Sequence, residues 1–339
     1  MATRIHPPRE AVPPRASRLR PRRRALLGGA ATLLLACPGR AETYPSRGIS
    51  YVVPFAPGGL TDLLARLVAE RLARETGQTV VIDNKPGGGG ILGTEFVARA
   101  APDGYTLLAA TNAPFASLPH LNPVRYDPLR DIVPVALLAD VYMPIFVHPS
   151  VPARDLAGLV AHAKAHPGTL NFGSGGAGTV GHLSGEYLKA RAGIAMQHVP
   201  YRSSAQSLQA CLTNEVQVLF GPEGTESALE SKLTAIAIMG PARWPKLPGV
   251  QTTTEAGYPD WALRSWQSVA VPGQTPRAIQ ERLNALVIRI LAEPELRSRI
   301  EAMGCRILPL SPEELAQRAR ADHAAFGEVI RAAGITTTG

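Results

Sequence analysis

Three glycine-rich turns hold the residues of this chain best placed for chemistry. The first is Pro54-Phe55-Ala56-Pro57-Gly58-Gly59-Leu60-Thr61-Asp62, which joins an apolar strand (Ile49 to Val53) to a helical pattern. Glycine lets the backbone approach a ligand closely, and the opening amides of a helix lack intrahelical acceptors, so such a junction can cradle an anion. Gly88-Gly89-Gly90-Ile91-Leu92-Gly93 and Gly173-Ser174-Gly175-Gly176-Ala177-Gly178 repeat the arrangement, each between a strand and a helix. One such cluster reads as a plain turn, whereas three point to a shared ligand cleft.

Which anion is narrowed by what the turns lack. The second and third match the G-x-G-x-x-G spacing, but a dinucleotide site also needs an acid at the end of the next strand to hold the ribose. Neither Leu107 to Asn112 nor Ala195 to Val199 contains one. No glycine run is followed by Lys-Ser/Thr, so there is no phosphate loop of the NTPase kind. A hydrolase reading fails on its parts: Ser174 is flanked as Phe172-Gly173-Ser174-Gly175-Gly176, not as G-x-S-x-G, and His182 follows without an acid placed to orient it.

The elements around these turns alternate. After Ile49 to Val53 comes a helix over Leu63 to Arg74, with Leu63, Leu64, Leu67, Val68 and Leu72 on one face and Arg66, Glu70, Arg71 and Arg74 on the other. Strands at Thr79 to Ile82 and Thr106 to Ala110 with a helix over Gly90 to Ala100 complete a βαβαβ unit. Val133 to Val147, broken by Pro134 and Pro144, reads as strands passing between domains. A second set follows: helices at Leu156 to Lys164, Gly181 to Arg191 and Ala205 to Leu212, and strands at Leu170 to Gly173, Gln197 to Pro200, Val216 to Phe220 and Leu233 to Met239. Ser265 to Val271 reads as the return crossing, before helices at Pro276 to Ala292, Pro294 to Met303 and Pro312 to Ala333. This pattern predicts an α/β protein with parallel sheets, in two lobes hinged by two crossings, with the ligand between them at helix N-termini.

The formal charge of +8 over 339 residues is misleading until it is located. Residues 1–41 hold nine arginines and one acid, so the entire excess sits there, and residues 42–339 carry 26 basic and 26 acidic side chains. A neutral body has no net excess from which to build a nucleic-acid surface. The arginine-rich start, the apolar run Ala25 to Ala36 and the small-residue end at Gly39-Arg40-Ala41 read as a cleaved export signal, too short for a membrane anchor. Arg23-Arg24-Ala25-Leu26-Leu27 fits a twin-arginine signal beside the general secretory alternative. Leu34-Leu35-Ala36-Cys37 resembles a lipobox with Cys37 as the lipidated residue, from which its second leucine and Pro38 depart. Beyond residue 41 only Cys211 and Cys305 remain, and no Cys/His spacing suggests a metal. No cofactor is expected.

Several further segments carry a family resemblance. Tyr44-Pro45-Ser46-Arg47, the 54–62 turn, Asn84-Lys85-Pro86-Gly87-Gly88-Gly89-Gly90, Gly93-Thr94-Glu95, Pro102-Asp103-Gly104-Tyr105-Thr106, Leu170-Asn171-Phe172, Gly178-Thr179, His182-Leu183, His198-Val199-Pro200-Tyr201 and the Trp266 segment resemble the substrate-binding proteins of tripartite tricarboxylate transporters, the Bug family. The resemblance covers essentially all of residues 44–335. It implies a periplasmic receptor with a two-lobed, type II clamshell fold, each lobe a sheet flanked by helices. Residues 44–140 with about 262–339 would form one lobe and about 141–261 the other. Such a receptor is a monomer that closes on a small carboxylate and delivers it to membrane permease subunits. A sensor passing the same ligand's signal to a membrane kinase is the rival that sequence does not separate.

By position the resemblance assigns ligand contacts to Phe55, Gly59, Leu60, Thr61 and Asp62, to Thr111 and Asn112, and to Gly176, Thr179 and His182. Asp62 is expected to orient its loop or cap its helix, since a carboxylate would repel an anionic ligand. After the strand ending at Phe220 the family usually shows an aspartate, and often another within it; this chain has Gly221 and Gln217. An ammonium taken from water needs a compensating charge. The ligand is therefore expected to carry carboxylate without amine, with the neighbouring Glu223 as an acid that could substitute.

Overall fold

The computed structural model describes residues 44–221, 230, 232–261 and 263–336. The export-signal reading of residues 1–41 and the alternative at Glu223 lie outside them. β1 (Ile49–Val53) has Tyr51, Val52 and Val53 without exposed surface, which a strand covered by helices on both faces requires. α1 (Leu60–Thr76) ends at Gly77, whose φ of 68° lets its amide turn back to the Ala73 carbonyl. β2 (Val80–Asn84), a 3-10 turn at Gly88–Gly90, α2 (Ile91–Ala98) and β3 (Thr106–Thr111) complete the unit, and β1 pairs parallel with both β2 and β3.

Two short helices unmarked in the sequence follow, α3 (Ala113–Ala116) and α4 (Leu118–Leu121), before β4 (Ile132–Val141) leads out to β5 (Pro144–Val147). The second lobe contains α5 (Leu156–Ala165), β6 (Leu170–Ser174), α6 (Val180–Ala192), β7 (Met196–Pro200), α7 (Ser204–Leu212), β8 (Val218–Phe220) and β9 (Thr234–Ile238). The chain returns along β10 (Ser265–Pro272) and closes with α8 (Arg277–Leu291), α9 (Pro294–Ala302), β11 (Cys305–Arg306) and α10 (Pro312–Ala332).

The sheets are mixed, not parallel as expected. The first has the order β11-β4-β10-β3-β1-β2 and the second β7-β6-β8-β5-β9. β10 runs antiparallel to both β3 and β4, and β5 antiparallel to both β8 and β9. The reason is the hinge itself: β4 carries the chain out of the first lobe and β10 carries it back, so the two crossings lie side by side in opposite directions. Periodicity along a strand reports burial, not the direction of its neighbour.

One helix face needs correcting. Arg71 is buried at 4% exposure, and Leu63 is exposed at 37%, the reverse of the expected faces. α1 packs against α8 as well as the sheet, which brings Arg71 close to Glu70, Glu293 and Glu295. A guanidinium taken from water needs such partners. Cys211 and Cys305 are both buried, and no disulfide joins them. Among the described residues no helix is long and apolar enough to cross a membrane.

Candidate functional site

The first glycine turn is held rigid by Asp62. Its Oδ2 accepts from the Gly58 amide (3.0 Å) and Arg66 Nε (2.9 Å), and its Oδ1 from a terminal Arg66 nitrogen (3.0 Å) and Asn84 Nδ2 (2.9 Å). Asn84 Nδ2 also donates to the Phe55 carbonyl (3.0 Å), tying the start of the turn to its end. Burial acts to raise the Asp62 carboxyl, but the hydrogen bonds from Arg66, Asn84 and Gly58 outweigh it and hold it below the usual carboxylate range. Asp62 is thus ionised, neutralised and spent on the loop, outside the lining of the cleft. Gly58, at φ 91°, supplies a conformation a side chain would resist. Gly59 then starts α1 without a side-chain cap.

The second lobe repeats this with different parts. Thr179 starts α6 without a side-chain cap to the helix, its hydroxyl donating instead to the Gly176 carbonyl (2.7 Å). The Gly178 amide donates to His182 Nδ1 (3.1 Å), which places the ring proton of that histidine on Nε2. Ser174 Oγ accepts from the Gly176 amide (3.2 Å) and lies 2.7 Å from His198 Nε2. The rings of His182 and His198 stack at 4.1 Å, and Phe172 stacks on His198 at 4.9 Å. Burial pushes His182 down to about 4, helped by the Lys189 charge, and His198 down to about 3, helped by His182 and Lys189. Both imidazoles are neutral near pH 7, so the loop is braced without adding charge. Ser174 meets His198 and not His182, and its hydroxyl is fully buried beneath the loop.

Between the turns lies a cavity of about 70 Å³. Of the residues singled out in the sequence, Phe55, Gly59, Leu60, Thr61, Thr111, Asn112 and Thr179 line it. Asp62, Gly176, His182 and Gly221 do not; the first three brace the loops behind it, and Gly221 pairs its amide with the Pro144 carbonyl (3.1 Å). Sequence reasoning missed Ala113, Met143, Gly175, Val180, Gly181, Ser204, Ser265 and Gln267. Val180 and Gly181 were signalled by their place at a helix start; Ser265 and Gln267 sit on a strand read only as a crossing.

Among the described residues no charged side chain lines this cavity. Its polarity comes from backbone and neutral groups. The first-turn amides of Thr61, Val180 and Gly181 have no acceptor among the described residues. The two helix N-termini add their positive dipole ends. Asn112 Nδ2 donates to the Arg264 carbonyl (2.8 Å), which fixes the amide and leaves its buried Oδ1 without a hydrogen-bond partner.

The lobes touch at the rim. The Ala56 amide donates to the Arg202 carbonyl (3.2 Å), the Leu60 amide to Ser204 Oγ (3.3 Å), and Ser117 Oγ to the Gly178 carbonyl (2.5 Å). At Gly89, φ 65°, an added Cβ would stand 2.1 Å from the Ala177 carbonyl oxygen. The glycine turns therefore serve close approach of lobe to lobe as well as of backbone to ligand. This is the closed form of a clamshell.

Comparison with known proteins agrees with this architecture. Protein BugT of Bordetella pertussis (strain Tohama I) is 34% identical over 288 residues, 84% of this chain and 88% of that one. The structure of Rpa4515 from R. palustris, solved with adipate, matches with a TM-score of 0.82 and 33% identity, covering 86% of this chain and 99% of that one. MatC from Rhodopseudomonas palustris, with bound malate, matches with a TM-score of 0.80 and 32% identity, covering 85% and 100%. The sequence profile described as "Tripartite tricarboxylate transporter family receptor" matches residues 64–335, taking in both lobes, both crossings and all but the first residues of the cleft. The chain belongs to that family of solute-binding receptors.

Proposed function

We propose that this protein is an exported periplasmic receptor, not an enzyme, that closes on a small amine-free carboxylate and presents it to the permease subunits of a tripartite transporter. The observation that carries the reading is a cavity between the lobes walled by helix-start amides from both and, among the described residues, by no charged side chain. Donors without a formal cation suit a carboxylate that must be released again, because each amide bond is modest while several together with two helix dipoles select negative charge. Structural relatives holding adipate and malate point to the same class. The absence of Asp or Glu from the lining among the described residues supports the amine-free part, since an ammonium would find no compensating charge on them. In this reading residues 1–41 are removed on export, residues 44–140 with about 262–339 form one jaw, and about 141–261 the other. The ligand touches both jaws only when they meet, so binding shifts the population toward the closed form that the permease recognises.

Thr61→Trp tests the site. The indole would fill the cavity beside Leu60, and binding of malate and adipate, followed by calorimetry, is expected to vanish while the ligand-free melting temperature stays within a few degrees. Retained affinity would remove this cavity from the function. A thermal-shift series tests ligand class: succinate, malate and adipate are expected to stabilise the protein, and aspartate and glutamate to do so less, each according to its saturation. Greater stabilisation by the amino acids would reverse the assignment.

A further inference from the structure

A second cavity, of about 250 Å³, lies on the other side of the Arg264–Ser265 segment from the cleft, Ser265 lining both. Its walls come from the hinge and from both lobes: Asp140 at the end of β4, Arg306 on β11, Arg318 on α10, Arg264 at the start of the return crossing, and the Gly240-Pro241 turn that follows β9. Three guanidinium groups thus face one lining carboxylate. Asp140 is already ion-paired on both oxygens, with Arg306 at 3.0 Å from Oδ2 and Arg318 at 2.6 Å from Oδ1. Arg264 has no ion pair or side-chain hydrogen bond among the described residues. Asp322 is buried, receives Trp266 Nε1 at 2.7 Å and feels the charges of Arg318 and Arg264 at longer range.

Nothing in the carboxylate cleft uses this charge. Guanidinium forks match oxyanions in bidentate fashion, and a pocket with a surplus of two such forks over carboxylates favours a dianion with at least two acceptor oxygens. We infer that the hinge cavity is a second anion site, taking inorganic phosphate or a short dicarboxylate between Arg264 and the Arg306–Arg318 pair. The inference does not rest on the reading of the cleft, and either could fail alone.

The test titrates the purified protein calorimetrically, in buffer free of phosphate and carboxylates, with inorganic phosphate and separately with malonate. Arg264→Ala and Arg306→Gln, whose guanidiniums lie outside the cleft, are each expected to weaken binding roughly 10- to 100-fold. Malonate, a small carboxylate that the cleft could also take, is titrated in the Thr61→Trp background, where the cleft is filled, and phosphate binding should be the same with and without that substitution. The probe that binds more tightly tells phosphate from dicarboxylate as the occupant. Absence of binding by both probes at millimolar concentration would overturn the site, as would phosphate binding lost in Thr61→Trp but kept in Arg264→Ala. Melting temperatures of the two arginine variants within a few degrees of the parent exclude unfolding as the cause, and Arg264→Gln, which keeps the side chain's length and polarity, repeats the test if Arg264→Ala fails to fold.

Discussion

Gly89→Ala is expected to weaken malate or adipate binding by about two orders of magnitude while lowering the melting temperature only slightly. The methyl group would sit 2.1 Å from the Ala177 carbonyl oxygen, a backbone atom that no rotamer change can move aside. Gly89 belongs to the first lobe and Ala177 to the second, so the clash exists only when the jaws meet. The open form is charged only for an alanine at φ 65°, about 1–2 kcal/mol. The closed form must in addition part the lobes or shift a loop, and a further penalty of about 2.7 kcal/mol on the binding-competent state is a 100-fold loss in apparent affinity. Calorimetric titration gives the affinity, and small-angle scattering with and without ligand gives the jaw opening. Affinity within threefold of the parent would show that productive closure does not require this contact. An equal loss in ligand-free stability would show that Gly89 serves the fold and not the hinge.

That a glycine should matter for meeting the other lobe was not legible in the sequence, although the glycine itself stood out. Gly88-Gly89-Gly90 and Gly173 to Gly178 share one spacing. Spacing announces a turn before a helix; it does not say whether the missing side chain makes room for a ligand or for a carbonyl from another part of the chain. The first lobe's order of strands and helices followed directly from its apolar runs, because each is a local alternation of buried and exposed positions. The strand directions around β10 did not, because they depend on where the chain re-enters, residues 124 positions or more after it left. Arg71 shows the same limit on a smaller scale: its charge is met by Glu293 and Glu295, which reach it from the start of α9. In the cleft, Thr61, Thr111, Asn112 and Thr179 were within reach because they stand at strand ends or helix starts. Ser265 and Gln267 were not, since nothing local distinguishes a crossing strand that also forms a wall. His198 was quoted only as part of a resemblance, and its pairing with Ser174 at 2.7 Å links β6 to β7 across a whole intervening helix.

That histidine pair makes the receptor's stability acid-sensitive well above the range where carboxylates titrate. His182 and His198 are held at about 4 and about 3 in the fold, against 6.5 as the ordinary value, chiefly because burial excludes the charged form. The sign follows from proton counts. Between the folded and unfolded values the unfolded chain binds more protons, so stability rises with pH and is lost as pH falls through that window. The contribution is complete above about 6.5, and by pH 5 the two rings together should have cost about 4 kcal/mol relative to pH 7. His120, also lowered by burial, adds in the same sense, whereas Asp322, raised by burial, works against it. Urea unfolding measured between pH 7 and pH 5 is expected to show this fall, and His198→Gln to flatten its slope by about half, since one of two protons taken up on unfolding is removed. A flat profile in the parent, or an equally steep one in the variant, would show that the pair does not couple protonation to folding. Because the folded rings stay neutral until about 4, the Gly175 to Gly181 wall, with the Gly178 amide held on His182 Nδ1 at 3.1 Å, should keep its shape across this window, so the acid sensitivity lies in the stability of the fold and not in the geometry of the cleft.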